Sequence, residues 1–388
     1  MTATAPIHQS ASQNPATGEI FAQHPFDMPA GIEQALARSA AAATWRQVPI
    51  KDRAAFLLRM AADLRDRKEA LATMMTQEMG KPITQARAEV KKCAFVCGWY
   101  AEHGPKFLEP QIVKVDKGQA RQEFRPLGPV LAIMPWDFPA WQVLRGAAGT
   151  LLAGNTYVLK HAPNVMGSAY LLRDAITTAG APEGVFEVVH TDPEGVSAMI
   201  KDPRIVAVAV TGSVRAGAAI ARQASAVLKK SILELGGSDA FIVLADADLD
   251  AAVRSAVTGR FQNTGQVCLA AKRIIVEQPI AEAFEARFVE AVQALKVGDP
   301  LQEDTYIGPM ARYDLRDELH RQVDESVTQG ARLVMGGHKL EGTGNFYAPT
   351  VLADVQPGRH GRLWRRTVWS GCLADRGARR GAYGRAGQ

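Results

Sequence analysis

Cysteine is scarce. Four occur in 388 residues, Cys93, Cys97, Cys268 and Cys372, too few and too scattered for a disulfide framework. Cys93 and Cys97 lie one helical turn apart with no further Cys or His nearby. Packing accounts for the pair better than a metal, and no metal site is expected. No apolar run approaches the ~20 residues that cross a bilayer. Residues 1–19 lack the apolar stretch of a secretory leader, so no membrane partner and a cytoplasmic setting are expected. Basic residues outnumber acidic ones for a net charge of +5. They are spread along the chain without interleaved aromatics, which argues against a nucleic-acid partner. The dinucleotide fingerprint GxGxxG is also missing.

What is present is an ordinary globular balance, 47% apolar and 22% charged, at a length that suits two or three domains. Leu57, Met60, Ala61 and Leu64 recur at helical spacing, as do Val90, Ala94, Cys97 and Ala101. Residues 111–125 hold two partly alternating runs around Asp116-Lys117-Gly118, which predicts a hairpin. From Gly128 short apolar runs at 130–134, 156–159, 185–189 and 205–210 alternate with helical stretches at 139–152, 166–179 and 193–201. A second alternation follows: strand 240–244, helix 247–261, strand 273–277, helix 280–295. Buried strands alternating with helices predict an α/β fold with a parallel, doubly wound sheet.

Two segments carry chemistry. In Phe261-Gln-Asn-Thr-Gly-Gln-Val-Cys268 a helix runs out into a polar turn that ends on a thiol, where a substrate can reach a thiolate. In Leu233-Glu234-Leu235-Gly236-Gly237 a carboxylate follows apolar residues near a strand end, beside glycines that let a ligand approach the backbone. Partly apolar surroundings raise carboxylate basicity, as a general base requires. Each segment alone also suits a structural role, as a buried thiol or a salt-bridged acid.

Together with Ile133-Met-Pro-Trp-Asp-Phe-Pro139, these segments resemble the aldehyde dehydrogenase superfamily, nearest its succinate-semialdehyde dehydrogenase-like members. The resemblance runs from Asn14-Pro-Ala-Thr-Gly-Glu19 to about Val355. Glu234 precedes Cys268 by 34 residues and Asp137 precedes Lys160 by 23, both intervals of the family. Ala153-Gly-Asn-Thr-Tyr-Val-Leu-Lys160 matches the strand leading to the cofactor ribose, and Val210-Thr-Gly-Ser213 the turn that meets the pyrophosphate. A helix opening after Thr211-Gly212-Ser213 suits a phosphate, because its first amides carry partial positive charge.

The resemblance implies a Rossmann-like cofactor domain (residues 1–109 and 126–235), a bridging and oligomerisation hairpin (110–125) and a second α/β catalytic domain (236–358). It implies NADP or NAD as cofactor, a small aldehyde as substrate and a homo-oligomer. Cys268 is then the nucleophile that forms a thiohemiacetal and, after hydride transfer, a thioester. Glu234 is the base that activates water, and the residue at 137 supports the oxyanion. Ile133, Trp136, Lys160, Gly184, Thr211, Gly212, Ser213 and Leu235 are the implied cofactor contacts. Arg145 matches an arginine that some relatives place near a substrate carboxylate.

The chain departs from the pattern in several places. Asp137 stands where the family has an asparagine donor. Pro163 stands three residues after Lys160, where NAD-preferring relatives often carry a glutamate. Without that carboxylate a 2′-phosphate is not repelled, which tilts the expectation towards NADP. Gln262 replaces a second expected arginine. The last thirty residues contain eight arginines, one acid and no lysine, with no helix or strand periodicity. Arg365-Arg-Thr-Val-Trp-Ser-Gly371 can be written CGA AGA ACT GTT TGG TCC GGT. One base later it reads GAA GAA CTG TTT GGT CCG, the family's Glu-Glu-x-Phe-Gly-Pro. The expectation is a frame change near residue 358, an incomplete catalytic domain and an aberrant tail over 359–388. A catalytically dead cofactor-binding fragment is the alternative reading.

Overall fold

The fold is that of a computed structural model, which describes residues 9–355 and 371–374. The described chain divides into two compact units. The first gathers the N-terminal strand, Ile20–Glu78 and Ala86–Leu235. The second gathers Asn14–Glu19, Met79–Gln85 and the chain from Gly236 onward. Two short N-terminal segments therefore cluster with the second unit, and the hairpin clusters with the first.

In chain order the elements up to Leu235 are β1 (Gln9–Gln13), β2 (Ile20–Pro25), α1 (Pro29–Ala41), α2 (Ile50–Asp66), α3 (Lys68–Met79), α4 (Ile83–Phe107), β3 (Gln111–Lys114) and β4 (Gln119–Gln122). Then come β5 (Pro129–Ile133), α5 (Trp141–Leu152), β6 (Thr156–Lys160), α6 (Met166–Thr178), β7 (Phe186–Val188), α7 (Pro193–Lys201), β8 (Ala207–Gly212), α8 (Val214–Ala226) and β9 (Lys230–Leu235). The expected apolar faces are realised. Leu57, Met60, Ala61 and Leu64 of α2, and Val90, Ala94, Cys97 and Ala101 of α4, are buried. β3 and β4 pair antiparallel around the expected turn, where Gly118 adopts φ +83°, a value glycine reaches without steric cost.

The sheet order β7-β6-β5-β8-β9 is set by the chain winding outward from β5 through β6 to β7, then returning to the other side of β5. All four pairings are parallel. Tyr157, Val158 and Leu159 of β6 are fully buried, as a strand covered on both faces requires. β9 is an edge strand, and its residues from Lys230 to Glu234 are exposed. The turn of direction between β5 and β8 is where doubly wound sheets bind ligands, at the carboxyl ends of the strands.

The second unit carries β10 (Ala240–Val243), α9 (Leu249–Phe261), β11 (Arg273–Val276), α10 (Ala281–Gln293), α11 (Tyr313–Thr328), β12 (Arg332–Met335), β13 (Val351–Val355) and β14 (Gly371–Ala374). Its sheet runs β10-β11-β14-β13-β12. Phe261, Phe284, Phe288, Val292 and Ile274 fill its core. The strand β14 corrects an expectation, since the tail was read as lacking any element. It pairs parallel to β11 and to β13. Backbone pairing does not depend on a side-chain pattern, and two open strand edges accept any short extended segment. The rest of the tail lies outside the described residues.

Candidate active site

In the first unit, register brings most of the expected cofactor residues into one row. Ile133 at the end of β5 pairs with Lys160 on one side and Val210 on the other. Thr211 and Gly212 continue β8, opposite Glu234 and Leu235 of β9. Trp136 and Asp137 follow β5 in the turn that leads to α5. Ser213 caps α8, its hydroxyl accepting from the Ala216 amide at 3.2 Å. A Cβ at Gly212 would meet nothing within 4 Å, so the backbone before this thirteen-residue helix is open to approach. Those amides and that space suit a phosphate. Lys160 is half-buried, and that burial lowers its pKa. Pro163 holds no charge there, and its carbonyl accepts from the Ser10 hydroxyl at 2.8 Å. These residues fit a dinucleotide.

Gly184 is placed differently, and Leu235, opposite Gly212 at the end of β9, turns its side chain elsewhere. Gly184 precedes β7, at the amino end of the sheet. With φ +81°, a Cβ there would stand 2.2 Å from the Arg38 carbonyl oxygen. Close approach to the backbone of α1 explains this glycine, and the fold does not bring it to the strand carboxyl ends. Leu235 packs its side chain on α8, where a Cβ at Gly217 would stand 2.4 Å from Leu235 Cδ2.

Glu234 and Arg145 are neighbours. Arg145 Nη1 lies 3.6 Å from Glu234 Oε2, the two side chains being 37% and 56% exposed. Arg145 Nη2 also donates a long hydrogen bond, 3.5 Å, to Thr211 Oγ1. The apolar surroundings expected for Glu234 are therefore absent; it stands on an edge strand facing a cation. Asp137 keeps Oδ1 shielded from solvent.

In the second unit, Cys268 follows a turn with three successive left-handed residues, Asn263 (φ 52°), Thr264 (φ 57°) and Gly265 (φ 74°). For the first two such backbone costs energy, and its persistence requires bracing. Asn263 N donates to Gln85 Oε1 at 2.6 Å, and the Thr264 hydroxyl donates to the Gly308 carbonyl at 3.2 Å. Gln266 Oε1 accepts from the Ala311 amide at 2.9 Å. The buried Arg260 donates to the Gly265 carbonyl at 3.2 Å. Lys272, also buried, donates to the carbonyls of Gly237 and Cys268 at 2.5 and 2.6 Å. Cys268 as a residue is partly exposed and follows this braced turn. Cys93 and Cys97 are buried thiols in the first unit, and burial pushes Cys97 up to about 12, away from reactivity.

Sequence reading passed over the braces. Lys272 stands four residues beyond Cys268 on the polar side of no obvious pattern, and only the fold shows that it is buried. Gln85 reaches the turn from 178 residues away. Among the described residues no group of three His, Cys, Asp or Glu could hold a metal ion, and no helix is long and apolar enough to cross a membrane.

Comparison with known proteins adds to the geometry. The succinate semialdehyde dehydrogenase [NAD(P)+] Sad of Escherichia coli is 58% identical over 358 residues, spanning 92% of this chain and 77% of that protein. A succinate-semialdehyde dehydrogenase [NADP(+)] of Mycolicibacterium paratuberculosis is 45% identical over 354 residues, 89% of this chain and 74% of its own. The crystal structure of succinic semialdehyde dehydrogenase from Streptococcus pyogenes in complex with NADP+ superposes with a TM-score of 0.91 at 32% identity, covering 94% of this chain and 80% of that one. With the aldehyde dehydrogenase family model matching residues 3–362, the chain belongs to the aldehyde dehydrogenase family.

Proposed function

We propose that the protein oxidises succinate semialdehyde, or a close ω-carboxy aldehyde, to the acid with NADP or NAD through a thioester on Cys268. The observation that carries this reading is the partly exposed Cys268 on its braced, left-handed turn. The thiolate adds to the aldehyde carbon. Bound nicotinamide supplies the hydride acceptor. Glu234 takes a proton from the water that hydrolyses the thioester. Lys160 and the amides opening α8 hold the ribose and phosphate side of the cofactor, and Ile133 and Trp136 line its approach. The absence of a carboxylate at Pro163 supports use of NADP. Arg145 supports an anionic substrate, its guanidinium being able to exchange Glu234 for a substrate carboxylate.

The domain limits 1–109 with 126–235, 110–125 and 236–358 go with this reading, as does a cytoplasmic setting. So does a subunit contact through the hairpin, supported by the exposed Ile112 and Val113 of β3. The test is the trapped intermediate. Glu234→Gln should accumulate the acyl adduct on Cys268, seen by intact mass after mixing with succinate semialdehyde and NADP. Cys268→Ala should show no adduct and no reduced cofactor. Turnover retained by Cys268→Ala would sink the assignment.

A further inference from the structure

We propose that His161 is a positioning residue for the reaction: it clamps the turn after β5 and thereby sets where Asp137 stands. This rests on the reading of position 137 as the oxyanion-side group. His161 follows Lys160 at the end of β6 and is fully buried. Its Nδ1 lies 2.9 Å from the Ala162 amide nitrogen, which has a hydrogen to give. Nδ1 therefore carries the lone pair. In the neutral ring Nε2 then carries the proton, and it donates to the Pro139 carbonyl at 2.9 Å. The Met134 carbonyl, 3.3 Å from Nδ1, faces that lone pair in this tautomer. Burial, with the charge of Lys160 adding to it, lowers the ring's pKa to about 4, so the ring is neutral at neutral pH, and the Ala162 amide sets its tautomer.

The turn is thus fixed from outside its own sequence. Its start is tied to β6 by the Met134 amide, which donates to the Lys160 carbonyl at 3.1 Å. Its end is tied twice: Pro139 to His161, and the amides of Ala140 and Trp141 to Glu89 Oε1, 2.9 Å each. Asp137 lies between these ties. α5 has no side-chain cap of its own, so His161 and Glu89 do what a local cap would do, from β6 and α4. Removing the Pro139 tie takes away one of the fixings at the end of the turn, the Phe138 carbonyl still accepting from the Gln142 amide at 3.0 Å, while Lys160, Thr211 and Ser213 keep their own supports. Small displacements of a reacting group cost large factors in rate.

The experiment compares His161→Phe, which removes both ring hydrogen bonds, with His161→Gln, whose amide can still donate to the Pro139 carbonyl. His161→Asn reads the same loss as Phe in a smaller side chain, should Phe not fold. In Phe or Asn, kcat for succinate semialdehyde should fall by ~10-fold or more, with NADP affinity (from fluorescence titration) changed by less than about two-fold. Gln should recover most of the rate. Independently of turnover, amide hydrogen exchange in the peptide spanning residues 134–141 should quicken in Phe and Asn and return towards wild type in Gln. Unchanged exchange in Phe and Asn overturns the proposal, as does a loss of NADP affinity equal to the loss of kcat. Absence of turnover in the wild-type protein would count against the proposed function, and the exchange rates would still decide the role of His161.

Discussion

An ionised carboxylate at position 137 has no proton to offer an oxyanion, and its charge repels one. Removing a single oxyanion donor usually costs ~10²–10³ in rate. The turn that carries Asp137 is tied to His161 and Glu89, so under the proposed function an asparagine at 137 would be held in the same place with a donor to offer. Asp137→Asn should therefore raise kcat, by ~10-fold or more where chemistry limits. Steady-state kinetics on the two proteins side by side checks this. An equal or lower kcat in the asparagine variant would mean that the carboxylate is a working group. Arg145 and Glu234 show how a residue's partner escapes sequence reading. Glu234 was picked out by its motif and Arg145 by the resemblance, but their 3.6 Å approach joins α5 to the edge strand β9, 89 positions apart.

At the level of elements, the periodic segments were the legible ones. The strands around 130–134 and 156–159 and the helices between them appear at the expected places, because burial on two faces writes a continuous apolar run and burial on one face a helical stripe. β1 and β2 were not legible, nor were the left-handed course and the braces of the turn after α9, although the turn itself was. They are held by long-range bonds such as Gln85 to Asn263, which leave no local period. Gly184 was legible as a special residue but not for its reason. Its φ of +81° and its 2.2 Å approach to the Arg38 carbonyl make it a packing requirement of α1 against the sheet. Gly184→Ala should destabilise the protein by ~1–3 kcal/mol or more and leave NADP affinity unchanged in the material that folds. Thermal melts with and without NADP separate the two effects. A specific loss of NADP affinity at unaltered melting temperature would return Gly184 to the cofactor site.

For the whole molecule, the question is what completes the second sheet. β14 holds β11 and β13 together through backbone pairing, in a tail whose composition offers little to bury. The arginine-rich sequence around it has little apolar content to offset ~1–2 kcal/mol per residue of ordering entropy. Three chains distinguish the possibilities: the chain as given, one stopped after residue 358, and one whose frame is moved by one base so that Glu-Glu-Leu-Phe-Gly-Pro follows. Limited proteolysis within residues 236–355 should be fastest for the stopped chain, slower for the chain as given and slowest for the restored one. Size-exclusion chromatography should show a defined oligomer for the restored chain. If the chain as given is as protected and as oligomeric as the restored one, the frame reading fails and the arginine-rich segment is a working part of the protein.

The sequence by itself determined the α/β alternation, the parallel sheet, the family and the positions of Cys268, Glu234 and Lys160. The alternation and the sheet rest on local periodicity, and the family and those three residues on motifs that resemble its members', which a chain carries wherever it folds. The tertiary structure alone decided that Ile133, Lys160, Thr211 and Ser213 share one row of strand ends, that Glu234 faces Arg145, and that Gly184 faces α1. It alone decided that Lys272 and His161 are buried behind the turns they support. Those outcomes depend on strand order, on register and on hydrogen bonds between residues far apart in the chain, and no local pattern encodes them.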